Sequence, residues 1–198
     1  RRNVTNVSRV LTCSGEYGLV DQIDFFTKPV ASESREGYFL LHQGDFAYNR
    51  SSMKGYPFGA IKRLDRYEAG AVSTLNICFS LRSSVVASDF LVHLFESGLL
   101  NHQLGRIARV GSRAHGLLNV TMDDFYSLDV PLPSVEVQQA ISEVLNQLGE
   151  EIVILEELRL KNASFKRGLM QRLLSGDIEI PEHLTAVGAA PEATNDDS

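Results

Sequence analysis

A chain of 198 residues with 43% hydrophobic residues and a mean hydropathy of −0.07 suits one globular domain of about 130 residues plus an extended element. It holds no run near the roughly 18 apolar residues of a membrane-spanning helix. Its start, Arg1-Arg2-Asn3-Val4, lacks both a leader's apolar stretch and a Met, so a cytoplasmic chain that is trimmed or a fragment is expected. The net charge of −6 argues against a uniformly basic nucleic-acid binder.

That charge is unevenly distributed. Residues 176–198 hold six acidic residues and no Lys or Arg, whereas 1–133 hold fourteen basic against thirteen acidic. Within 46–115 there are nine basic and four acidic residues, a local excess compatible with a polyanionic partner or with an ordinary solvated surface.

Residues 1–133 read as a mixed domain rich in short strands. β-branched and aromatic residues predict strands at Val7–Cys13, Tyr38–Leu41, Phe46–Tyr48, Phe58–Arg63 and Leu75–Leu81. Turns are expected at Gly15, Gly18, Gly37, Gly44-Asp45, Gly55 and Gly70. A helix is expected from Asp89 to about Leu100, capped by Ser88, with Phe90, Leu91, Leu94 and Phe95 buried and Gly98 ending or fraying it. Thr121 is placed to cap a short helical turn at Met122–Tyr126, whose Asp123 and Asp124 suit the positive end. Prolines 131 and 133 hold Leu128–Pro133 extended.

A long amphipathic segment follows, from Ser134 as N-cap to Leu173-Leu174-Ser175-Gly176. Apolar residues recur at Ile141, Leu145, Leu148, Ile152, Leu155 and Leu158, then at Phe165, Leu169 and Leu173, in steps of three and four. Asn162 occupies the seam between the two runs. This is a coiled-coil stripe on a helix of about 60 Å. A lone helix would expose it, so a partner helix is expected. Gly149 and Gly168 each cost about 1 kcal/mol relative to Ala, so packing rather than propensity must hold the helix. The three expected parts are a domain over 1–133, the helix over 134–176 and an acidic, disordered tail over 177–198.

Catalytic motifs are missing. There is no G-x-G-x-x-G or G-x-x-x-x-G-K-[ST] loop, and no G-x-S-x-G elbow. The five His never pair at metal-ligand spacing, and Cys13 and Cys78 stand apart, so buried free thiols and no metal are expected. Tyr48-Asn49-Arg50-Ser51 has Arg where the Asn-Pro-Pro-aromatic motif of an amino-methyltransferase needs proline. No cofactor is expected.

Two segments carry groups that read nucleic acid. Asn49, Arg50, Ser51, Ser52, Lys54 and Tyr56 follow a strand; Arg and Lys contact phosphate or guanine, Asn suits adenine, and Tyr stacks. The same stretch also reads as a surface turn with Tyr48 and Tyr56 packed in the core. Arg106, Arg109 and Arg113 lie beside Gly111 and Gly116, which let a backbone approach phosphate; a solvated loop gives the same pattern.

Four stretches together resemble the DNA-specificity subunit of Type I restriction–modification systems over nearly all of residues 3–180. They are Val10–Ser14 with Gly18–Gln22, Tyr38 to Ser51, and Gly70–Ser73 with Phe79. The fourth is Val130-Pro131-Leu132-Pro133 with Gln138–Ile141, Leu145, Leu148, Lys166 and Gly168–Gly176. The resemblance implies an α+β fold, a strand-rich target-recognition domain followed by one long coiled-coil-forming helix. It also implies a non-catalytic reader of one half of a bipartite duplex DNA target. Implied partners are methyltransferase (modification) subunits, restriction subunits, and a second specificity half or a homodimer joined through the long helix. Val137 and Gly149 depart from the acidic residues common at those places. Two alternatives stay open: the recognition domain of a single-chain restriction–methylation enzyme, and a coiled-coil assembly module whose globular domain binds protein or glycan.

Overall fold

The computed structural model describes residues 7–25, 37–108 and 116–179. In chain order the elements are β1 (Leu11–Ser14), β2 (Gly18–Asp21), α1 (Gln22–Phe25), β3 (Phe39–His42), β4 (Phe46–Asn49), β5 (Ala60–Arg63), β6 (Ala69–Val72), β7 (Asn76–Phe79), α2 (Ser88–Glu96), α3 (Asn101–Ile107), α4 (Met122–Tyr126) and α5 (Val135–Leu174). The chain divides into two units, Arg1–Leu145 and Asn146–Ser198, so the first turns of α5 belong with the strand-rich part.

Strand β4 organises the first unit because both its faces are covered. It runs antiparallel between β5 and β7, and Phe46, Ala47 and Tyr48 are fully buried. Alternation along a strand sends Phe46 and Tyr48 to one side and Ala47 to the other. Phe46 and Tyr48 enter a core with Ile61, Ile77 and the apolar faces of α2, α3 and α4. Phe46 stacks on Phe79 with ring centroids 5.2 Å apart, and Tyr48 stacks on Phe125 at 4.9 Å. Ala47 joins a second core made by Leu11, Cys13, Leu19, Leu41, Leu64 and Val72, where the β1–β2 and β3–β6 pairs meet.

The predicted strands form, β1, β5 and β7 shorter than expected, β3 shifted by one residue and β4 longer by one, and β2 and β6 join them. Gly70, expected in a turn, lies inside β6. A Cβ there would fall 2.4 Å from Leu11, so the glycine admits β1 against β6. The helix expected from Asp89 to Leu100 stops at Glu96, because Gly98 takes φ +73°, and a second helix, α3, starts at Asn101. Ser88 is the first helical residue rather than the cap. Ala87 holds the cap position without a side-chain bond, and Ser88 Oγ accepts from Arg63 instead, at 2.8 Å. Thr121 caps α4 as expected: its hydroxyl accepts from the Asp124 N–H while the Asp124 carboxylate accepts from Thr121.

Helix α5 inverts the usual pattern, since the residues it buries are the polar Gln138 and Ser142. The Gln138 amide donates to Pro133 O at 2.8 Å and to Val85 O at 3.0 Å, and its oxygen accepts from the Ala87 N–H at 2.8 Å. Every polar atom of a fully buried amide is thereby satisfied. The backbone N–H of Glu136 itself and the Ser134 hydroxyl hold the exposed Glu136 carboxyl below its ordinary range. In the second unit, Ile152, Leu155, Leu158 and Phe165 are 51–71% exposed, so the seam has no cover within the chain's described residues. The tail expected from 177 lies mostly outside them.

Candidate nucleic-acid interface

The loop between β4 and β5 is shaped by backbone pairing at both ends. After Asn49 the chain pairs antiparallel with 116–118: Leu118 N–H donates to Arg50 O at 2.7 Å and Ser52 N–H to Gly116 O at 2.9 Å. Met53 and Tyr56 then exchange backbone bonds of 2.9 and 3.1 Å, closing a tight turn. Gly59, at φ +85°, returns the chain to β5 so closely that a Cβ would lie 2.3 Å from Asn49 O. Phe58 packs on Gly105 of α3, the neighbour of Arg106. Of the two segments singled out in the sequence, the first thus pairs with Gly116, the last residue of the second, and the chain just after the first packs on α3 beside Arg106.

Within this arrangement Ser52, Lys54 and Arg106 are exposed, and their side chains make no hydrogen bond or ion pair among the described residues. Ser51 is half-buried, its N–H held by Asn49 Oδ1 at 3.1 Å. Arg109 and Arg113 lie outside the described residues.

Asn49 and Arg50 are engaged internally. Asn49 Nδ2 donates to Cys13 O at 2.8 Å. The Arg50 guanidinium donates to Leu75 O at 2.7 Å, Val120 O at 3.0 Å and Thr74 O at 3.4 Å. Its fork thereby ties the loop to the β6–β7 turn and to the strand-like segment before α4. These donors face backbone carbonyls in the free chain, which is a scaffold role.

Tyr56 is fixed by the pairing of a buried Lys62 with Glu96, which the sequence alone did not reveal. Lys62, 8% exposed, bonds Glu96 at the end of α2 and donates to Tyr56 Oη at 2.9 Å; Tyr56 Oη also donates to Glu96. The ammonium lies 4.5 Å from the Tyr56 ring centroid. Burial pulls the Lys62 ammonium down, but its bonds to Glu96 and Tyr56 outweigh this and raise it above its ordinary value. Burial, with Glu96 beside it, raises the Tyr56 phenol. A Cβ at Gly15 would lie 2.6 Å from the Tyr56 ring, so this glycine lets the β1–β2 turn close over it. The one available sequence signal was Lys62 itself, a charge inside an apolar strand, which demands a partner. With Lys62 paired, and Arg63 paired to Asp65 and Asp89, the exposed cations of 46–108 without such partners reduce to Lys54, Arg66, Arg82 and Arg106.

Cys13 and Cys78 are free thiols, each pushed up to about 12 by burial. Among the described residues no cluster of His, Cys, Asp or Glu could hold a metal ion, and no helix is long and apolar enough to cross a membrane.

A strand-rich α+β unit with a polar and basic loop face, continued by a 40-residue helix with an exposed apolar seam, defines a two-part class of protein. Residues 71–163 match the model of the Type I restriction modification DNA specificity domain. Two solved structures share the fold. One is described as the structural basis underlying complex assembly and conformational transition of the type I R-M system. It is 22% identical, with TM-score 0.52 over 76% of this chain and 36% of that one. The other is the HsdS subunit from Thermoanaerobacter tengcongensis, 23% identical, with TM-score 0.52 over 72% of this chain and 36% of that one. The chain therefore spans about a third of the length of the structures it matches. No curated protein matches it.

Proposed function

We propose that this chain is a non-catalytic DNA-sequence reader that directs a Type I restriction–modification methyltransferase and endonuclease to one half of a bipartite target. The observation that carries this reading is the junction of the 48–56 loop with residues 116–118, which lie within the segment that matches the DNA specificity domain model. Lys54 and Arg106 supply phosphate contacts from the two sides of that junction, with Arg109 and Arg113 continuing the second segment. Ser51, Ser52 and Tyr56 lie beside them as groups able to reach base edges or sugars. Asn49 and Arg50 contribute by holding the loop. Modification and restriction subunits dock on the complex, and the α5 seam packs on a second long helix from another specificity half or another copy. Its site of action is the cytoplasm, where duplex DNA is exposed to it.

Selection from a pool of random duplexes tests the reading, with the chain assembled on a modification subunit. Enrichment of one short motif is expected, and a pool unchanged after several rounds would refute sequence recognition. A complex that binds glycan or peptide arrays and no duplex would instead favour an assembly module.

A further inference from the structure

We propose that the cavity between the 50–59 loop and the α2–α3 junction receives one unstacked nucleobase carrying an exocyclic amino group, read by Glu96 and Asn101. The cavity holds about 200 Å³, below the roughly 300–1,000 Å³ of pockets for drug-sized ligands, and suits a single ring system. Ile61, Phe95 and Leu104 give it an apolar wall, and Tyr56, Glu96 and Asn101 its polar edge.

Charge selects the ligand class. Lys62 neutralises Glu96, so the site offers no net positive charge to a phosphate and suits a neutral group. The two Glu96 oxygens each accept one internal bond, from Lys62 and from Tyr56, which leaves lone pairs free on a side chain 36% exposed. The Asn101 amide has no hydrogen-bond partner among the described residues, and Gly98 keeps space for it, since a Cβ there would lie 2.8 Å from Asn101 Nδ2. Glu96 and Asn101 Oδ1 are two acceptors that need two donor hydrogens. An amino group supplies both; the imide of thymine supplies one. Asn101 Nδ2 remains to donate to a ring nitrogen, as Asn does with adenine.

The fit of the base stands on the cavity alone, while its source, a base displaced from duplex DNA, rests on the function proposed above. Displacing a base costs least where it is already unpaired. The test titrates the full chain with deoxyadenosine, deoxycytidine and thymidine, following backbone amide resonances. Gly55, Gly59, Gly98 and Asn101 should shift with the first two and at least several-fold less with thymidine. Asn101→Ala, which loses no internal bond, should abolish the shifts while melting like the wild type. In a second arm, duplexes with one bulged adenine or one bulged thymine are compared, and about tenfold preference for adenine, lost in Asn101→Ala, is expected. No shifts and equal binding of both bulges would overturn the proposal. Nucleoside shifts without binding of any duplex would uphold the cavity and refute the DNA-reading function.

Discussion

Replacing Arg50 with Ala separates a scaffold role from a base-reading one. The guanidinium donates to three backbone carbonyls, two at good distances of 2.7 and 3.0 Å and one long at 3.4 Å. Hydrogen bonds from a charged donor contribute about 1.5–3 kcal/mol each when buried. The Leu75 and Thr74 carbonyls sit where water can replace the donor, so the main cost falls on the partly buried Val120 carbonyl and on the lost tether. About 2–3 kcal/mol in total is expected. For a unit of about 145 residues this corresponds to a fall in Tm of roughly 4–12 °C. Calorimetric melting of Arg50→Ala beside Lys54→Ala measures it, because Lys54 is exposed and its loss should stay within about 0.5 kcal/mol. If Arg50→Ala melts within about 1 °C of the wild type and loses discrimination at a single base pair, the scaffold argument is wrong.

Other outcomes follow from the same contacts. Gln138→Leu should destabilise the chain by about 2–4 kcal/mol in urea titration, since it orphans the Ala87 N–H and the carbonyls of Val85 and Pro133; a change under about 0.5 kcal/mol would mean water satisfies them. Cys13, Cys78 and Tyr48 are raised in the folded chain to about 12 from 9.0, 9.0 and 10.0, and Tyr56 and Lys62 are raised as well. Raised values favour the protonated forms in the folded state, so their contribution is complete below about pH 9 and is lost as pH climbs from there towards about 12. Urea midpoints at pH 7.5, 9.5 and 10.5 should fall progressively, and a flat profile contradicts the burial of these groups. Sedimentation should show a dimer through α5, whereas a strict monomer that also ignores an added partner subunit would leave the seam unexplained.

Local signals were the legible ones. The Thr121 cap and the spacing of the α5 seam each act within a few residues and appear where the sequence puts them, while Gly98 ends α2 earlier, at Glu96 rather than about Leu100. Strand β6 was illegible because Ala69-Gly70-Ala71-Val72 has little strand propensity of its own. Pairing with β3 and the approach of Leu11 create it. The loop's position was readable, but not the direction its donors face. Whether Arg50 points to solvent or to Val120 O depends on a contact 70 residues away, and the Lys62–Glu96 pair spans 34. Gln138 looks like an ordinary polar helix residue until the chain before α2 folds against it.

The salt dependence of duplex binding tests the central claim most directly. Affinity of the assembled complex is measured at several salt concentrations for the wild type and for Lys54→Ala, Arg106→Ala, Arg109→Ala and Arg113→Ala. Each lost phosphate contact should weaken all duplexes alike and flatten the slope of log affinity against log salt by about one unit. If all four variants keep both the affinity and the slope of the wild type, the DNA does not lie on this face.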